Sequence, residues 1–127
     1  MATKRINFTS IPVEDQDRAI AFYTQQLGFE LLVDAPYDEG WRWIFLALPN
    51  AETRLHFAKR EELQWKEGMP CLALEVESVD EDALRLKASG TAITAGPEDA
   101  PWAANSRYLL IRDSENNTVF LESAKGA

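Results

Sequence analysis

The chain has 127 residues but one cysteine and one histidine, and each scarcity removes a class of chemistry. A lone thiol cannot close an internal disulfide, so a reducing cytoplasm is the simplest location. Basic side chains are also in deficit: 13 Lys and Arg stand against 21 Asp and Glu, for a net charge of −8. That balance opposes the phosphate neutralisation nucleic-acid binding requires, so no nucleic-acid partner is expected. It favours a cationic ligand at long range, although the same charge also serves solubility. Long apolar runs are missing, none approaching the roughly 18 residues a membrane span needs, so no membrane partner is expected. Met1 to Arg5 leads into Asn7 and Thr9 rather than an apolar stretch, and a secretory leader is not expected. The six glycines are dispersed, with none at the spacing of a phosphate-binding loop.

What the chain does have is a sentence written twice, at a spacing of roughly sixty residues. Ile11 to Asp17 leads into an apolar-periodic stretch ending at Leu27-Gly28, and Leu74 to Asp80 leads into one ending at Ser89-Gly90. Each half then supplies strand-like runs and a polar turn, Leu48 to Thr53 in the first and Arg112 to Asn117 in the second. Two copies are too few to stack as a solenoid, so the duplication points to two modules sharing a sheet. At this length one domain is expected, with module one at about 4–58, a connector at 59–70 and module two at about 71–124.

Within module one, alternation predicts a strand from Ile6 to Val13, with Phe8, Ser10 and Pro12 on one face and Ile11 and Val13 on the other. Asp15 or Asp17 caps a helix with Ala19, Ile20, Tyr23 and Leu27 on one stripe, ended by Gly28. Phe29 to Asp34 reads as a short strand, Asp34 to Gly40 as a turn, and Trp41 to Leu48 and Arg54 to Ala58 as strands. In module two, Cys71 to Glu77 is the first strand. Asp80 is the expected helix cap, with Val79 and Leu84 as a hydrophobic staple. Ile93-Thr94 suggests an edge strand, Gly96 to Asn105 a long loop, and Arg107 to Arg112 and Thr118 to Glu122 the last two strands. Each half is β-α-β-β-β.

These residues resemble the vicinal oxygen chelate superfamily, which includes glyoxalase I, extradiol dioxygenases and bleomycin-resistance proteins. The similarity rests on Val13-Glu14-Asp15, Ala19, Phe22-Tyr23, Leu27-Gly28-Phe29, Leu74-Glu75-Val76, Val79-Asp80, Pro101-Trp102 and Asp113 to Asn117. The last turn departs at three positions from the family's usual Asp-Pro-Asp-Gly-Asn. The resemblance implies an α+β fold of two βαβββ modules forming a curled, cleft-shaped mixed sheet, usually in a homodimer.

In catalytic members of that family the first and last strands of each module supply metal ligands, usually His, Glu or Gln. The matching positions here are Phe8, His56, Cys71 and Phe120. A phenyl ring has no lone pair to donate, whereas a catalytic divalent site needs about three protein ligands and an open position. No metal, cofactor or catalytic residue is therefore assigned. The expected function is metal-free binding of an amphipathic aromatic small molecule, in the manner of bleomycin-resistance proteins, with Phe8, Trp43, Arg54, His56, Cys71, Trp102 and Phe120 in contact with the ligand. The alternative is a lyase, isomerase or dioxygenase with a shifted metal site. His56 and Cys71 read equally as a core imidazole and a buried apolar filler, and each tryptophan as packing.

Overall fold

A computed structural model describes residues 2–126. The elements run β1 (Phe8–Val13), α1 (Gln16–Gln25), β2 (Glu30–Asp38), β3 (Trp41–Ala47), β4 (Arg54–Lys59), β5 (Pro70–Glu75), α2 (Val79–Ala88), β6 (Ile93–Asp99), β7 (Ser106–Arg112) and β8 (Thr118–Ala124). The chain divides after Gln64 into two compact units, called modules one and two below. Each has the expected β-α-β-β-β order and its own four-stranded mixed sheet, β1-β4-β3-β2 in one and β5-β8-β7-β6 in the other. In each, the first strand lies parallel to the last, and the remaining neighbours are antiparallel. The fold is α+β.

Strand alternation decides which side chains reach the core. In module one Ile11, Ile44, Leu46, Leu55 and Phe57 are fully or almost fully buried, and helix α1 adds Ala19 and Tyr23. The Tyr23 ring lies 6.0 Å from Phe57 and 5.6 Å from Phe29, so α1 covers the Phe57 face of the sheet. In module two the matching core is Leu109, Ile111, Val119 and Leu121, with Val79, Ala83 and Leu86 from α2. Burying each such side chain contributes roughly 1.5–3 kcal/mol.

Asp15 is the cap of α1, its carboxylate accepting from the Arg18 backbone N–H at 3.0 Å. The α2 cap is Ser78 rather than Asp80. The Ser78 hydroxyl accepts from the Glu81 N–H at 3.2 Å, which makes Val79 the first helical residue and turns Leu84 outward at 75% exposure. Val79 and Leu84 therefore form no staple.

Both second strands are longer than the breakers suggested. β2 continues through Pro36 to Asp38, and β6 continues through Gly96-Pro97 to Asp99, so the expected loops shrink to a two-residue turn at Glu39-Gly40 and a shorter loop over 100–105. Each is an edge strand with register shifts, and an edge tolerates a proline because one side of its backbone has no neighbour to bond. Gly96 is required where it stands: at φ +78 it lies against the Tyr108 carbonyl, where a Cβ would collide.

One device occurs in both modules. Arg42 of β3 bridges Asp17 of α1 at 2.7 Å and Asp34 of β2 at 2.9 Å. Arg107 of β7 bridges Asp80 of α2 and Asp99 of β6, both at 2.8 Å. Each arginine ties the start of its helix to its edge strand, and both guanidiniums are held more firmly charged than usual by those carboxylates. In module two the hydrogen bonds from Arg107 hold Asp80 and Asp99 below the ordinary carboxylate range, with Lys125 adding to the effect at Asp99.

Candidate functional site

The residues that alternate away from the core gather on the other face of each sheet. In module one β4 presents His56 and Arg54, β1 presents Phe8 and Ser10, and β3 presents Trp43 and Phe45. The β1/β4 register puts Ser10 opposite His56, and the β3/β4 register puts Phe45 opposite His56. The imidazole centre is 4.6 Å from Trp43, 5.2 Å from Phe8 and 5.7 Å from Phe45. Phe8 and Phe45 are 5.2 Å apart, and Tyr37 of β2 extends the cluster, 5.2 Å from Trp43. Tilted ring pairs at these distances add about 0.5–1.5 kcal/mol each beyond area burial. Phe8 remains 37% exposed and Tyr37 67%, so part of this surface faces outward.

Two polar groups sit within the rings. The His56 Nδ1 is 2.9 Å from the Ser10 hydroxyl, and burial pushes the imidazole pKa down, so the ring is neutral at neutral pH. The Arg54 guanidinium lies 4.0 Å above the Phe45 ring centre, a cation–π contact, and donates to the Asn7 side-chain oxygen. Among the described residues no carboxylate pairs with it.

Module two repeats the arrangement with other residues. Ala73 lies opposite Phe120 and Leu110 lies opposite Phe120, as Ser10 and Phe45 lie opposite His56. Trp102, Tyr108 and Phe120 form a second ring cluster, with Tyr108 stacked on Phe120 at 6.2 Å and Trp102 5.0 Å from Tyr108. Here the polar neighbours are acidic. The Trp102 indole N–H donates to Glu122 at 3.2 Å and the Tyr108 hydroxyl to Glu98 at 2.9 Å, a bond that raises the Tyr108 pKa.

Of the sequence-selected residues, Phe8, Trp43, Arg54 and His56 meet in module one, and Trp102 and Phe120 meet in module two. Cys71 is buried at the start of β5, two residues before Ala73 as Phe8 stands two before Ser10. Phe45, Tyr37, Ser10, Tyr108 and Glu98 were not singled out by sequence. Strand parity puts Ser10 on the Phe8 face, but only the register across β1 and β4 brings it to His56.

The donor set does not suit a divalent ion. Phe8 and Phe120 offer no lone pair, the His56 Nδ1 is engaged by Ser10, and no three His, Cys, Asp or Glu side chains converge among the described residues. A further groove of about 510 Å³ lies beside Trp41, Lys59, Arg60 and Glu14. Its cations are paired, Lys59 with Asp38 at 3.6 Å and Arg60 with Glu14 at 2.9 Å.

Residues 5–121 match the model of the Glyoxalase/Bleomycin resistance protein/Dioxygenase superfamily. The chain belongs to this superfamily. Similar solved structures of the superfamily fold include TnmS3, an antibiotic-binding protein from Streptomyces sp. CB03234, at 31% identity and TM-score 0.83, covering 98% of this chain and 99% of that one. A glyoxalase/bleomycin resistance protein from the same organism is 32% identical at TM-score 0.72, covering 92% of this chain and 98% of that one. The uncharacterized protein YurT of Bacillus subtilis (strain 168) is 35% identical over 103 residues, which is 73% of this chain and 80% of YurT. No described helix is long and apolar enough to cross a membrane.

Proposed function

We propose that this superfamily member is a small-molecule binding protein that works without a metal, holding an amphipathic aromatic compound on the Phe8–Trp43–Phe45–His56 face of module one. The observation that carries this reading is the replacement of a donor by a ring. By the resemblance, Phe8 stands at a position where catalytic relatives hold a ligand, and its phenyl packs 5.2 Å from the only histidine. Such a surface offers stacking and van der Waals contact to a flat guest, and a neutral imidazole and a guanidinium to orient it. The likeness to TnmS3, an antibiotic-binding protein, supports the same class of ligand.

Trp102, Tyr108 and Phe120 supply a second ring surface on module two, and Cys71 serves there as apolar filling. The protein acts as a homodimer in the cytoplasm, and light scattering checks the dimer. Elemental analysis of the purified protein combined with a thermal-shift screen of planar antibiotics and aromatic acids tests the binding function. Sub-stoichiometric metal and a raised Tm with aromatic compounds are expected. A stoichiometric divalent ion, with turnover lost in His56→Ala, overturns the reading in favour of a metal-dependent enzyme.

A further inference from the structure

The polar groups on the two ring faces do not repeat between modules. Where module one has Arg54, Ser10 and His56, the corresponding strand positions of module two hold Thr118, Ala73 and Phe120. Of the rings, Trp43 is matched by Tyr108, whereas Phe45 is matched by the aliphatic Leu110. The Arg–Asp–Asp bridges are kept as well. Arg42 and Arg107 each use their guanidinium on two carboxylates, whereas Arg54 has one side-chain amide partner and an aromatic ring beneath it. A guanidinium has five N–H donors in a planar fork matched to a carboxylate, and a ring beneath it fixes that plane. Its neighbour two residues along the same strand face is His56, and both groups rest against Phe45. The Ser10 hydroxyl lies 2.9 Å from Nδ1, and in the tautomer in which that hydroxyl donates, the imidazole proton sits on Nε2 as a further donor.

We infer that Arg54 and His56 form an oxyanion-reading pair on the module-one face, so that the preferred guest is an aromatic carboxylate whose ring packs on Phe8 and Trp43. This inference rests on the binding function proposed above and names its ligand class. It runs against the long-range expectation from the net charge of −8. Charges farther apart than about 8 Å are screened at physiological salt, while a fork-to-carboxylate contact at a half-buried site is not. Local donors therefore decide which guest stays, and net charge affects only how fast it arrives.

Three compounds with one ring system and different charge test this: 2-naphthoate, 2-naphthylmethanol and 2-naphthylmethylammonium, titrated calorimetrically into the intact protein at pH 7.5. The naphthoate is expected to bind at least tenfold tighter than the alcohol, and the ammonium compound weakest. Arg54→Gln is expected to remove the preference for naphthoate over the alcohol, and Arg54→Lys to keep part of it. Equal affinity for all three, a preference for the ammonium compound, or a preference that survives Arg54→Gln overturns the oxyanion reading and leaves aromatic binding standing. Failure of all three to bind overturns both. The ranking in the unmodified protein decides the question even if Arg54→Gln does not fold.

Discussion

The two modules are most alike on the face that packs and least alike on the face that does not. Tyr23 and Phe57 in module one and Leu86, Leu109 and Leu121 in module two are fully buried in their interiors, and an arginine bridges helix and edge strand in both. On the opposite faces the same strand positions have diverged, to Arg54, Ser10 and His56 in one and Thr118, Ala73 and Phe120 in the other. A duplicated fold keeps what its stability needs in both copies. A group needed for recognition can be kept in one copy alone, and that asymmetry locates the site.

The largest effects are expected where the modules agree. Phe57→Ala and Leu109→Ala each empty a site that is fully buried, at a cost of about 2–5 kcal/mol in urea denaturation followed by circular dichroism. A loss under about 1 kcal/mol in either would break the equivalence of the two cores.

Next come substitutions on the faces that differ. Trp43→Ala should weaken aromatic binding by about tenfold or more, roughly 1.4 kcal/mol by calorimetry. Trp102→Ala, which removes a ring that is 57% exposed, should cost less than Trp43→Ala does. The reverse order would move the site to module two.

The arginine bridges sharpen the comparison by a smaller margin. Arg42→Ala and Arg107→Ala should lower Tm by similar amounts, because each leaves two carboxylates without their shared cation. Arg107 depresses the pKa values of Asp80 and Asp99 below 3.8 in the folded chain. Their contribution to stability is full above that value and is lost as pH falls through the depressed values, so Arg107→Ala should flatten that part of an acid titration.

The smallest effect is expected at His56. Burial lowers its folded pKa below 6.5, so the unfolded chain binds the proton more readily. Its contribution is present above pH 6.5 and is lost as pH falls through the folded value. In His56→Gln, stability should decline less between pH 7 and pH 5, as measured by urea midpoints.

Much of this was legible before any coordinates. The β-α-β-β-β order of each half, an α1 cap at Asp15 or Asp17 and the Phe8 face followed from alternation, capping chemistry and the repeat. The lengths of β2 and β6 did not, because Pro36 and Gly96-Pro97 break a central strand but not an edge, and edge position is a property of the sheet. The α2 start was misplaced by two residues because Ser78 and Asp80 are both good caps, and burial of Val79 decides between them. At the site, the family resemblance supplied Phe8 and His56 as candidates, and the aromatic content supplied Trp43. The pairing of Ser10 with His56 and the stacking of Arg54 on Phe45 arise from register across strands that are far apart in the chain.

The central claim is that an aromatic guest is held by module one without help from a metal. Calorimetric titration of 2-naphthoate into protein dialysed against a chelator, before and after adding back zinc, nickel or manganese, tests it most directly. Micromolar affinity, unchanged by the added ions, is expected. Affinity that appears only when an ion is restored would contradict it.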